Sequence, residues 1–158
     1  MGYSSGSNMK IFLAIIYWFL SLTWGSIMTV IGFFGFLYFL IKGSNKIHRN
    51  GYSVIVETDG NWGGLSLGAF AFCGNYSQTN PVWFDHTRKH EFGHSLQNII
   101  LGPLFIFLVA IPSAFRYHYQ IREIKRGTRF SSSWYDSVWF EGTATKYGTK
   151  AVEWIEQK

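Results

Sequence analysis

The sequence predicts an α+β membrane protein: an N-terminal transmembrane helix or helical hairpin over residues 1–42, then a mixed domain over residues 43–158. Three observations predict it. No charged residue falls between Lys10 and Lys42. From Tyr52 to Phe72 the chain is rich in β-branched residues and glycines, the composition of paired strands. Beyond that, His90, Glu91 and His94 stand in a stretch of helical character that leads into a second apolar segment at 99–115.

With 158 residues the chain suits one compact unit beyond its anchor. Aromatic residues make up 20% of the sequence and charged residues only 15%, against about 25% charged in typical soluble domains, so a bilayer is the expected surrounding. The net charge of +5 does not point to nucleic acid, because the basic residues flank apolar segments instead of forming a stripe among exposed aromatics. Anionic lipid headgroups are the expected counter-charge. Cys73, the single cysteine, has no partner for a disulfide and reads as a small buried residue.

As one straight helix, Ile11 to Ile41 would extend roughly 46 Å, well beyond a hydrocarbon core of roughly 30 Å. It is therefore expected as one long bent helix or as a hairpin turning at Thr23-Trp24-Gly25-Ser26, the latter preferred, with Trp18, Trp24 and Tyr38 as interfacial anchors. No small-x-small site follows the run, so a cleaved secretory signal is not expected. Met1-Gly2 is followed by Gly6 where N-acylation needs Ser or Thr.

Gly43 to Lys46 reads as a connector. Tyr52 to Thr58 and Leu65 to Phe72 read as the two strands of a β-hairpin, turning through Asp59-Gly60-Asn61 and Gly63-Gly64. Asp85 and His86 are placed to open the next helix. That helix continues into Ile99 to Phe115, with a kink or break expected at Pro103 and Pro112. Arg116 to Arg129 is basic, and Ser131-Ser132-Ser133 leads into a last helix from about Tyr135 to Ile155.

His90-Glu91-Phe92-Gly93-His94 has the form H-E-x-x-H. Two imidazoles four residues apart on a helix stack on one face, where both can reach a zinc ion, while Glu91 is rotated aside and free to act as a base. A third ligand must come from elsewhere. His86 is in the same row, but three ligands along one straight stripe cannot all reach one ion. Glu141, an acid among apolar and small residues in Trp139-Phe140-Glu141-Gly142-Thr143-Ala144, is the expected ligand, with Asp136 the alternative. Tyr135, Tyr147 and His118 are the candidate donors to a developing negative charge, and Tyr147 is the one expected to serve as a catalytic residue.

With these residues the chain resembles the gluzincin metallopeptidases, in which two histidines of a short helix and a glutamate of a following helix hold zinc. The resemblance covers roughly residues 62 to 150. It implies a minimal zincin-like domain with metal ligands His90, His94 and Glu141, a general base at Glu91 acting on zinc-activated water, and an edge strand at Leu65 to Phe72 that binds an extended peptide. It further implies a membrane-anchored zinc-dependent metalloprotease with a peptide or protein substrate. The family pattern often has an aspartate four residues after the glutamate; here that residue is Thr145, leaving Asp136 or Asn98 to support the histidines. The glycine in His90-Glu91-Phe92-Gly93-His94 also resembles the site-two type of membrane metalloprotease, although no Leu-Asp-Gly follows. The alternative is a non-catalytic membrane structural or interaction protein with a structural metal.

Topology and chemistry are coupled. If Ile99 to Phe115 crossed the bilayer, Glu141 would lie on the opposite side from His90 and His94, since nothing later is apolar enough to return. The segment is therefore expected to pack within the domain, lie at the interface or re-enter, with the site on the basic, cytoplasmic face of an inner or cytoplasmic membrane.

Overall fold

A computed structural model describes residues 4–43, 46–131 and 133–157. Met1 to Tyr3 of the acylation reading, Ser44 and Asn45 of the connector and Ser132 of the serine run lie outside the described residues. Five α-helices and one four-stranded mixed sheet follow in the order α1 (Ser4–Leu22), α2 (Ser26–Lys42), β1 (Lys46–Asn50), β2 (Ser53–Thr58), β3 (Gly64–Leu67), β4 (Phe70–Gly74), α3 (Pro81–Leu101), α4 (Ile111–Lys125) and α5 (Trp139–Glu156).

The apolar N-terminal run is neither straight nor folded into an antiparallel hairpin. α1 and α2 meet at 94°, in an elbow at the expected Thr23-Trp24-Gly25. α3 holds this corner: Asn98 Nδ2 donates to the Gly25 carbonyl at 3.2 Å, and a Cβ at Gly25 would stand 2.4 Å from that nitrogen. Among the described residues, no single helix is long and apolar enough to cross a membrane, whereas α1 and α2 taken together as a bent pair have the length and composition.

The strand order is β1-β2-β4-β3, with β2 and β4 parallel and the outer pairs antiparallel. This corrects the hairpin expected between 52–58 and 65–72. Gly68, at φ 66°, turns the chain between Leu67 and Phe70 and divides the expected second strand in two, so that β4 lies beside β2 and β3 becomes a sheet edge. The opposite edge, β1, was not anticipated, because Lys46, His48 and Arg49 hide its strand character. Val56, Phe70 and Phe72 face α1 and α2, against Trp18, Phe36 and Phe39. Ile55, Ala71 and Cys73 face the other way, toward Phe84 of α3. Coverage on both faces explains why β4 is buried throughout. Residues 1–42 are thus packed against the rest: Met28, Thr29 and Gly32 of α2 are buried.

α3 begins earlier than Asp85. Asn80 caps it, accepting from the Trp83 amide at 3.2 Å, and Pro81 occupies the first turn, where its missing N–H is not needed. The helix breaks at a 3-10 turn over Gly102–Leu104, and a π-helical turn over Ile106–Ala110 precedes α4, so interruptions accompany both Pro103 and Pro112. Phe105 and Val109 of this segment are buried against Met28, while Leu104, Phe107, Leu108 and Ile111 stay exposed.

α3 and α5 cross closely through glycine. A Cβ at Gly93 would meet the Ala144 carbonyl oxygen at 2.0 Å, and one at Gly148 would meet the Lys89 carbonyl oxygen at 2.0 Å. Near that crossing Arg88 forms a bidentate pair with Glu156, at 2.7 and 3.0 Å.

Candidate metal centre

The α3–α5 crossing sets Glu141 under the two histidines. His90, His94 and Glu141 are 9%, 5% and 0% exposed. Glu141 Oε2 lies 3.2 Å from His90 Nε2 and 3.1 Å from His94 Nε2, and the two nitrogens are 3.1 Å apart. The centre of such a triangle is about 1.8 Å from each corner, so an ion at the usual 2.0 to 2.1 Å would sit just above its plane.

Their hydrogen bonds fix which atoms carry protons. Gln97 Nε2 donates to the Phe140 carbonyl at 2.7 Å and to Thr143 Oγ1 at 2.9 Å, which orients the amide. Gln97 Oε1 therefore faces His94 Nδ1, at 2.8 Å, and that nitrogen must donate. Thr145 Oγ1 gives its proton to Asp136 Oδ1 at 3.0 Å, so at 2.8 Å it accepts from His90 Nδ1. In the neutral imidazoles both Nε2 atoms are then lone pairs aimed at one point beside a carboxylate oxygen. Glu141 Oε1 is buried without a hydrogen bond, an electron-rich atom in want of a positive partner. These residues could hold a metal ion, and they form the single such group among the described residues.

Asp136, the alternative ligand, stands behind Thr145 instead and supports His90 through it. Thr145 thus fills the place where the resembled pattern has an aspartate. Asn98 is committed to the elbow. His86 stacks on His90 with ring centroids 6.5 Å apart and lines the groove without joining the ligand group. Replacing Thr145 by Val removes the acceptor for His90 Nδ1–H while keeping side-chain volume. Metal affinity is expected to fall about 10 to 100-fold, read by competition against a chromophoric chelator, with circular dichroism unchanged; an unaltered affinity would show that the Asp136–Thr145 chain does nothing for His90.

Glu91, 4% exposed, packs its carboxylate against Gly64 of β3, where a Cβ would lie 2.1 Å from Oε1. Burial raises its pKa above the ordinary value against the opposing pull of His90 and His94. Burial also disfavours the charged form of Glu141, but its contacts with His90 and His94 outweigh this and hold the carboxyl well below the usual range. Two neighbouring carboxyls are thereby driven apart, one fixed as an anion and one poised to take a proton.

Two connected hollows meet over Glu91 and His90. A cavity of about 210 Å³ has Met28, Leu67, Phe105 and Val109 among its walls. A more open groove of about 730 Å³ runs past Trp62, Tyr76, Trp83 and Gln120. Tyr135 lines both, and burial followed by the charges of Glu141 and Glu91 raises its phenol pKa, keeping it protonated. His118 is on the wall of the small cavity.

Tyr147, the expected catalytic donor, is not among the residues brought to the cleft. Six positions beyond Glu141 on α5, it is turned to the outer face, is 54% exposed, and lies under the Lys146 ammonium, 5.5 Å from its ring centroid. The sequence reading also missed Gln97, although its i, i+3 spacing from His94 was a usable signal, and Gly64, which carried none. Comparison with protein-family models, with curated proteins and with solved structures finds no match to this chain.

Proposed function

We propose that the chain is a membrane-associated zinc peptidase of gluzincin type, with His90, His94 and Glu141 holding the ion and Glu91 as the base. The observation that supports this reading is the convergence of two imidazole Nε2 atoms and one carboxylate oxygen within 3.2 Å at the floor of an open cleft. Two nitrogens and an oxygen suit zinc, and three protein ligands leave a coordination position for chemistry, whereas a structural site is usually closed by four. Zinc held there would polarise a scissile carbonyl and acidify water.

The peptide backbone pairs with the free edge of β3, which extends the sheet by one strand and lays a carbonyl over the triangle. Glu91, with its raised pKa, takes a proton from the attacking water and passes it to the departing amine. Tyr135, held protonated, donates to the carbonyl oxygen as negative charge develops there. The apolar run from Ile11 to Ile41 and the exposed side chains of 104–115 associate with a bilayer, the basic residues beside them meeting anionic headgroups.

The test is metal analysis of the purified protein together with a peptide-library digest. One zinc per chain and cleavage abolished by chelation and restored by zinc are expected. Protein without metal, or cleavage indifferent to chelation, would overturn the proposal.

A further inference from the structure

The two hollows differ in chemistry, and α4 passes along both. The small cavity touches its start, at Ser113 and Ala114. The groove touches its far end, at Gln120 and Ile121, and Tyr117 stands between as a wall of each. Along the same helix exposed Ile111 and Phe115 give way to a mixed exterior, in which Arg122 stands beside exposed Ile121 and Ile124, with Arg126 just past the helix end. A change from apolar to mixed apolar and basic suits a helix that passes from hydrocarbon to headgroup.

The floor of the small cavity repeats this pattern. Met28 of α2 and Phe105 and Val109 of the 102–110 segment form it. The outward sides of the same two pieces of chain are apolar and exposed: Ile27, Val30 and Ile31 on one, Leu104, Phe107 and Leu108 on the other. These two helical pieces of chain stand between the small cavity and the face that the charge-free sequence offers to lipid.

We propose that the cleft receives membrane-anchored polypeptides at the point where the chain leaves the bilayer. An apolar side chain from the lipid side fills the small cavity, whose volume suits one bulky residue, and the polar continuation runs out along the groove beside α4. Glu91 and His90 then face the backbone at the membrane boundary. This inference rests on the peptidase reading, whose substrate class it specifies.

The experiment uses zinc-loaded protein carrying Met28→Cys and Glu91→Gln, reconstituted in phosphatidylcholine–phosphatidylglycerol vesicles. Peptides with one transmembrane segment and a single cysteine stepped across its boundary are tested for disulfide formation with the cavity cysteine. Cys73 gives no background, since it is fully buried and burial pushes its thiol up to about 12. Crosslinks confined to one or two boundary positions are expected, about tenfold above those of the same sequence without its membrane segment. Inserting four polar residues at the boundary distinguishes delivery from mere enrichment at the vesicle: the crosslinked position must stay with the bilayer edge and not travel with the sequence. Crosslinking that travels with the sequence, or an equal yield from the soluble peptide, overturns the inference. Absence of any crosslink overturns it too, and Ala110→Cys, on the same wall, guards against a defect particular to position 28. Cleavage of soluble peptides by wild-type protein without these crosslinks leaves the peptidase reading standing alone. Crosslinks without cleavage by wild-type protein leave the docking site and remove the peptidase.

Discussion

Glu91→Gln is expected to retain one zinc per chain and to lose about 10³-fold in kcat, within the roughly 10² to 10⁴-fold range for a general base. The amide matches the carboxylate in shape, so the packing against Gly64 survives. It does not belong to the ligand triangle, so the ion is not released. What it cannot do is accept a proton and pass it on. Elemental analysis and peptide turnover on the same sample separate the two properties. Loss of zinc would make Glu91 a structural support of the site, and a fall below about tenfold would remove it as the base.

Gly148→Ala is expected to cost about 2 kcal/mol or more, as an extra methyl in a packed interior does, lowering Tm by roughly 4–8 °C. The methyl would stand 2.0 Å from the Lys89 carbonyl oxygen and 2.7 Å from the Gly93 amide nitrogen. Both neighbours are backbone, so α5 must move away from α3. Glu141 moves with it, while the histidines stay on α3. The variant should therefore also lose most of the stabilisation that added zinc is expected to give the parent, since a ligand stabilises only the state that binds it well. Scanning calorimetry with and without zinc measures both effects, and Tyr147→Ala on the exposed face should change neither. A variant that keeps the full zinc-dependent rise in Tm would show that Glu141 does not depend on this close crossing.

The three members of the candidate metal group could be read from the sequence because each carries local information. His90 and His94 announce themselves by spacing, and Glu141 by being an acid in apolar surroundings. The hydrogen-bonded support could not. Asp136 reaches His90 only through Thr145, and that chain exists because the turn before α5 folds back over the helix. Tyr135 and Tyr147 are equally aromatic in sequence, and only the rotation of α5 and the path of its preceding turn decide that Tyr135 enters the cleft. The sheet shows the same limit. Leu65 to Phe72 has the composition of one strand, and its division at Gly68 depends on Thr29 of α2, against whose backbone and hydroxyl the turn is pressed. The long apolar run shows where it turns but not by how much, for a related reason: Asn98, far along the chain, holds the corner at 94°.

That corner has a mechanical consequence. Asn98 is one helical turn beyond His94 on α3, so the grip on Gly25 and the imidazoles belong to one stiff rod. Trp24, at the bend, donates to the Ile100 carbonyl at 3.4 Å and adds a second fastening to the same end. Glu141 is on α5, which Gln97 and the glycine crossing tie to the same rod. A tilt of the N-terminal helices would be carried along the rod to His90, His94 and Glu141 together, which couples the angle between α1 and α2 to the placement of the candidate metal group.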